Sequence, residues 1–189
     1  MTSIGFIGRP RAGKDTAAEY LIKRHGYTRV SIAEPIKEIG LAADPIIGWS
    51  PIEKEPIRLA EAVSRLGWER VKDTFPEVRR FLWAMSVDGV SRVLGEDIWT
   101  ERAVKEIRAL GSPAVVTDVR LEEEAQELRA TGLVIVYLSR EGFPEQDDRG
   151  GEHLGPDAAD LHIHNRGSLE DFQIQVDTLA RRLAEGQPV

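Results

Sequence analysis

The sequence predicts an α/β fold, a parallel sheet covered by helices on both faces. Three observations carry that expectation. Short, wholly apolar runs at 4–7, 114–116 and 133–138 alternate with helical patterns, and a strand with no polar face is one buried between two layers. A glycine-bearing turn, residues 8–16, stands between the first such run and the first helix. The chain has 189 residues, enough for one domain with a substantial core.

Taken in order, residues 4–7 read as a buried strand and 14–25 as a helix stopped by Gly26. Residues 27–32 read as a second strand. Pro35 falls in a first helical turn, where its missing N–H costs nothing, and 36–43 continue that helix. Residues 44–55, with Pro45, Gly48 and Pro51, read as a loop. Helices follow over 56–66 and 78–94, the second carrying Leu82, Met85, Val90 and Val93 at helical spacing. Asp97 reads as the N-cap of a helix ending near Gly111. Residues 114–118 form an apolar strand closed by a carboxylate, 122–130 a helix stopped at Gly132, and 133–138 another strand. Residues 139–156 are a polar, Gly-rich loop, 161–164 a last short strand, and Ser168 caps a closing helix to about Ala184. The expected organisation is a single domain over 1–189. Its core is 1–43 and 112–189, its strandless helical insertion about 44–111, and its lid about 140–156.

Composition narrows the function. A net charge of −7 argues against a broad nucleic-acid footprint, which would be basic. With no cysteine there are no disulfides, no thiolate chemistry and no Cys-ligated zinc. No leader pattern opens the chain and no apolar run approaches a membrane span, so the sequence reads as cytoplasmic. His162 and His164 share one strand face, but no further ligands complete an H-x-H zinc site.

The turn at 8–16 fits G-x-x-x-x-G-K-[ST] except at its last place, where Asp15 stands and Thr16 comes one residue late. A strand, a glycine loop and a helix in that order build a phosphate cradle. Gly8 and Gly13 allow the close approach that a Cβ would obstruct. Lys14 supplies a point charge to the β/γ oxygens, and Arg11 and Ala12 complete the loop. Asp15 offers a hard oxygen to a metal or organises the acceptor, and beside phosphates it needs a cation or an arginine close by. Thr16 still offers a hydroxyl. Asp118, at the end of an apolar strand, stands where a metal-holding Asp is found, with Arg120 two residues on. Arg140 and Arg149 are the lid cations that would shut water out, beside Glu152. Lys37 and, in the insertion, Arg65, Arg79, Arg80 and Arg92 are candidate cations for an acceptor's phosphate, and Trp83 is one of four aromatics, with Trp68, Phe81 and Trp99, available to stack a base.

Together these segments resemble the deoxynucleoside monophosphate kinases encoded by bacteriophages. The run Gly-Lys-Asp-Thr at 13–16 resembles that family's loop, and 31–37 resembles its S-x-A-x-x-x-K segment. Arg80 through Asp97-Ile98-Trp99 resembles its middle helices. Thr117-Asp118-Val119-Arg120 with Glu124 resembles its D-x-R…E segment. Glu152, Ala159-Asp160 and 165–169 resemble its closing pattern. The resemblance implies ATP- and Mg²⁺-dependent transfer of a phosphoryl group to a deoxynucleoside monophosphate, in the host's cytoplasm if a phage encodes the chain. It implies donor roles for Gly13, Lys14, Asp15 and Thr16, and roles near acceptor and metal for Asp118 and Arg120. Two departures stand out: the bulky Arg9-Pro10-Arg11-Ala12 inside the loop, and Gly151-Glu152 where the family often has Ser-Glu.

Other readings share the donor loop. A P-loop kinase of the phosphomevalonate or dephospho-coenzyme-A type would differ only in its inserted helices. A nucleotide-binding ATPase or switch, or a non-catalytic phosphate-binding module, would lack the acceptor. The expected partner is a small nucleotide, with neither nucleic acid nor membrane, and a homodimer can form through the inserted helices.

Overall fold

The computed structural model describes residues 1–140 and 154–186. In chain order its elements are β1 (Ile4–Ile7), α1 (Lys14–His25), β2 (Thr28–Val30), α2 (Glu34–Ala43), β3 (Ile46–Trp49), β4 (Pro56–Arg58), α3 (Leu59–Leu66), α4 (Trp68–Thr74) and α5 (Pro76–Trp83). A π-helical stretch, Ala84–Ser91, runs into the short α6 (Arg92–Leu94). Then come α7 (Ile98–Ala109), β5 (Ala114–Val116), α8 (Glu122–Arg129), β6 (Val134–Arg140), a 3-10 turn at Pro156–Ala158, β7 (Leu161–Asn165) and α9 (Leu169–Glu185). The chain divides into two units, Met1–Ile32 with Thr100–Val189, and Ala33–Trp99.

The first unit carries a five-stranded, all-parallel sheet in the order β2-β5-β1-β6-β7. The central strand β1 sets Ile4 opposite both Val115 and Val134, and all four of its residues are buried. Because every strand points the same way, Gly8, Ser31, Asp118 and Asn165 all follow or end strands at one edge of the sheet. The main core joins Phe6, Leu21, Val115, Val136, Leu138 and Phe172, so β1, β5, β6, α1 and α9 share one apolar interior. The apolar runs demanded this burial, and the sheet meets the α/β expectation.

The second unit has its own small core, Ile47, Leu59, Ala62, Val71 and Val78, with Trp68, Phe75 and Phe81 packed against it. Here the structure corrects the sequence reading. Residues 44–55 are not wholly loop, and the region is not strandless: β3 and β4 pair antiparallel. Helix begins at Leu59 rather than 56, and the single helix expected over 78–94 is α5, a π-helical stretch and α6. The unit spans Ala33–Trp99 where the sequence placed an insertion at about 44–111, so most of α7 belongs with the sheet.

Candidate active site

The loop after β1 is shaped by its main chain. Gly8 (φ +124°) and Gly13 (φ +110°) hold left-handed conformations that L side chains rarely adopt. A Cβ on Gly8 would overlap the Leu138 carbonyl oxygen, and one on Gly13 would come within 2.7 Å of Asn165 Nδ2. Between them Arg11 takes φ +65°, which a side-chain-bearing residue holds at some cost. Ala12 N–H closes the turn on the Arg9 carbonyl (3.2 Å). Asn165, from the end of β7, donates Nδ2 to the Ala12 carbonyl (2.9 Å).

Lys14 opens α1. Its Nζ donates to the carbonyls of Gly8 (2.5 Å) and Arg9 (2.9 Å), folding the ammonium back over the loop. Burial lowers its pKa from 10.5 to about 8, against the pull of Asp15, while Arg120 is close enough to lower it further. Asp15 points to solvent but is not alone. Its Oδ1 accepts from Arg29 Nη1 (2.7 Å) and Thr117 Oγ1 (3.1 Å).

Asp118 follows β5. Its carboxylate accepts from Ser31 Oγ (2.7 Å) and, more weakly, from the Ile32 N–H (3.3 Å), which ties the β5 and β2 ends together. Arg120 is exposed, and its N–H donates to Glu124 Oε2 (2.7 Å), which also accepts from the Leu121 N–H (3.1 Å). Burial pushes the Glu124 carboxyl above its ordinary value; the two main-chain donors oppose that, Asp118 adds to it and Arg120 offsets it.

The first unit therefore brings Gly8, Arg11, Ala12, Gly13, Lys14, Asp15, Thr16, Asp118 and Arg120 to one sheet edge, with the exposed Arg140 at the end of β6. Lys37, Arg65, Arg80 and Trp83 lie in the second unit. Lys37 pairs with Glu34 (2.7 Å), Arg65 with Glu61 (2.9 Å) and Arg80 with Glu77 (3.1 Å), each within its own helix, and Trp83 is 67% exposed. Trp68 and Phe81 line the small core instead. Arg149 and Glu152 fall outside the described residues. Sequence reasoning gave no site role to Arg29, Thr117 or Asn165; only the unbalanced charge of Asp15 signalled that an arginine was needed nearby.

A family model for deoxynucleotide monophosphate kinase matches residues 50–176, more than half of the chain. The chain belongs to that family. A protein of Acanthamoeba polyphaga mimivirus carrying the same kinase name is 25% identical over 93% of this chain and 94% of its own length. The deoxynucleotide monophosphate kinase of Escherichia phage RB69 is 28% identical over 78% of this chain and 60% of its own length. In fold, shikimate kinase from Acinetobacter baumannii superposes with a TM-score of 0.52 over 100% of this chain and 96% of that one, at 11% identity. Shikimate kinase from Aquifex aeolicus gives 0.50 over 97% and 98%, at 12% identity. The fold is that of P-loop kinases, and this kinase is a phosphotransferase acting on nucleoside monophosphates. No helix among the described residues is long and apolar enough to cross a membrane. Nor is any group of three His, Cys, Asp or Glu placed to hold a metal ion among them. Mg²⁺ keeps waters and phosphate oxygens and takes only one or two carboxylates from a protein, so the oxygen donors Asp118, Thr16 and Asp15 suit it.

Proposed function

We propose that this kinase transfers the γ-phosphoryl group of ATP to a deoxynucleoside monophosphate, releasing ADP and the deoxynucleoside diphosphate. The observation that supports this reading best is Lys14 folded over a left-handed glycine loop at the strand-end edge of a parallel sheet. The main-chain N–H groups of the loop and the start of α1 receive the donor's phosphates. Lys14 exchanges the carbonyls of Gly8 and Arg9 for β- and γ-phosphate oxygens, and Arg11 adds a second cation. Thr16 and Asp118, with Asp15, would hold Mg²⁺, which would supply charge to neutralise the donor's phosphates.

A phosphomonoester has its second pKa near ~6, so the acceptor is mostly dianionic at neutral pH and needs no strong base. Alignment and charge neutralisation then carry the chemistry. Arg120, its main chain fixed by Glu124, meets the transferring or acceptor phosphate, and Arg140 and Arg149 add further positive charge. Acceptor recognition falls to Lys37, Arg65, Arg80, Trp83 and Glu152. We place the kinase in the cytoplasm, as a homodimer formed through the helices of the second unit, and without a nucleic-acid partner.

Coupled ADP release against a panel of phosphorylated acceptors tests this. Deoxynucleoside monophosphates should stimulate release, and Lys14→Ala should lower it at least about a hundredfold while leaving the fold intact. Release without acceptor would make the protein an ATPase. Release only with phosphomevalonate or dephospho-coenzyme A would make it another kinase.

A further inference from the structure

Asp15 raises a problem that the donor site does not solve by itself. A carboxylate in the first turn of α1 is favoured by the helix dipole, but that same helix end is where a polyanionic nucleotide must sit. The structure supplies an answer from elsewhere in the chain. Arg29, on β2, donates Nη1 to Asp15 Oδ1 at 2.7 Å, and Thr117, following β5, donates its hydroxyl to the same oxygen at 3.1 Å. Arg29 Nη1 also lies 3.5 Å from Thr117 Oγ1, so the three side chains form one cluster drawn from three segments. The Asp15 side chain is 73% exposed and that of Arg29 38% exposed. Ion pairs this open to water contribute little to folding, so the weight of this one lies in the charge it presents to a ligand.

We propose that Arg29 is a positioning residue of the phosphate loop: it neutralises Asp15 and so lets a carboxylate occupy the loop's usual hydroxyl position beside a nucleotide's phosphates. The proposal rests on the donor-site reading above. Asp15 in turn is held by two donors on a single carboxylate oxygen, Oδ1. Removing Arg29 leaves an uncompensated anion at the helix start; removing both members of the pair leaves none.

The test is titration calorimetry of β,γ-methylene-ATP with the full chain, in EDTA so that no divalent cation contributes, at low and at physiological salt. Repulsion by one uncompensated, partly screened carboxylate should weaken binding of Arg29→Met about tenfold at low salt, and less at high salt. Arg29→Lys, which keeps the charge, should stay within about threefold of the wild type. The double variant Arg29→Met with Asp15→Asn should regain the affinity of Asp15→Asn alone, a rescue that a merely structural role for Arg29 would not produce. Arg29→Met binding as tightly as the wild type overturns the proposal. So does a double variant as weak as Arg29→Met, because Arg29 would then act on something other than Asp15. If Arg29→Met does not fold, Arg29→Gln takes its place in the same comparisons. A wild type that does not bind the analogue sinks the donor site itself; a wild type that binds beside an Arg29→Met that binds equally sinks only the role of Arg29.

Discussion

Lys14 must be an ammonium to hold a polyphosphate, yet the loop holds it partly out of water. The resulting fall of its pKa to about 8 has two consequences of opposite sign. For binding, the competent charged form is depleted as pH rises through about 8, so affinity for an ATP analogue should fall above it, by up to about tenfold per pH unit. Titrations between pH 6.5 and 9.5 at constant ionic strength check this, and a flat profile would remove Lys14 as the phosphate ligand. For folding, the native pKa lies below the unfolded value of 10.5, so the penalty is fully present below pH 8. Between about 8 and 10.5 the unfolded chain keeps a proton that the native state has released. Over that window this group's contribution to stability therefore rises, by up to about 1.4 kcal/mol per pH unit. That Lys14 sits on a glycine turn between a buried strand and a helix was legible in the sequence, because these signals are local: two glycines, a lysine and the strand and helix that flank them fall within a few residues. The partners of the loop were not legible. Asn165 is 153 positions from Ala12 and Thr117 is 102 from Asp15, and only the sheet order β2-β5-β1-β6-β7 brings such residues to one edge.

Among the elements, α9 shows how far local signals reach. Ser168 accepts from the Asp171 N–H (3.2 Å), and the Asp171 carboxylate accepts from the Ser168 N–H (2.9 Å), so two N–H groups left over at the helix start are satisfied reciprocally. The same exchange, led by the Ser168 hydroxyl, holds the Asp171 carboxyl below its usual value. Ser168→Ala should lower the melting temperature by about 2–4 °C, measured by calorimetry, and an unchanged transition would mean that the packing of α9 alone carries it. That packing is substantial: Phe172, Val176, Leu179 and Ala180 are buried in the main core, and the Phe172 ring lies 3.1 Å from where a Cβ on Gly13 would stand. The Ser168 cap made this helix readable. The β3–β4 pair was not readable for converse reasons. Its strands are four and three residues long, Gly48 and Pro56 lie within them, and the turn uses Lys54 at φ +54° where a glycine or asparagine would have marked it. The π-helical stretch was hidden because apolar spacing over 78–94 fits an α-helix as well, and periodicity cannot register one extra residue in a turn.

For the whole molecule, the decisive fact is that the proposed donor residues and most of the proposed acceptor residues belong to different units. The glycine loop, Asp118, Arg120 and Asn165 lie with the sheet, whereas Lys37, Arg65, Arg80 and Trp83 lie in Ala33–Trp99. The family match begins at residue 50, beyond the loop, so it bears on the second unit and the later strands, while the loop bears on the donor. A chain of net charge −7 must also draw two anionic ligands to local cations rather than to an overall field. With this division of labour, each ligand should leave its own footprint. Either ligand at a hundred times its Kd stabilises the protein by about 2.7 kcal/mol, enough to read by hydrogen exchange with mass spectrometry. An ATP analogue alone should protect amides over 8–16, 117–124 and near 165. A deoxynucleoside monophosphate alone should protect amides within 33–99, foremost around Lys37, Arg65 and Arg80. In Arg80→Met the acceptor's KM should rise at least about tenfold with ATP's KM held, since a guanidinium that grips the acceptor's phosphate has no part in holding the donor. An acceptor that protects only segments of the first unit would move acceptor recognition to the sheet edge, and leave Arg120 and Asp118 to recognise both substrates.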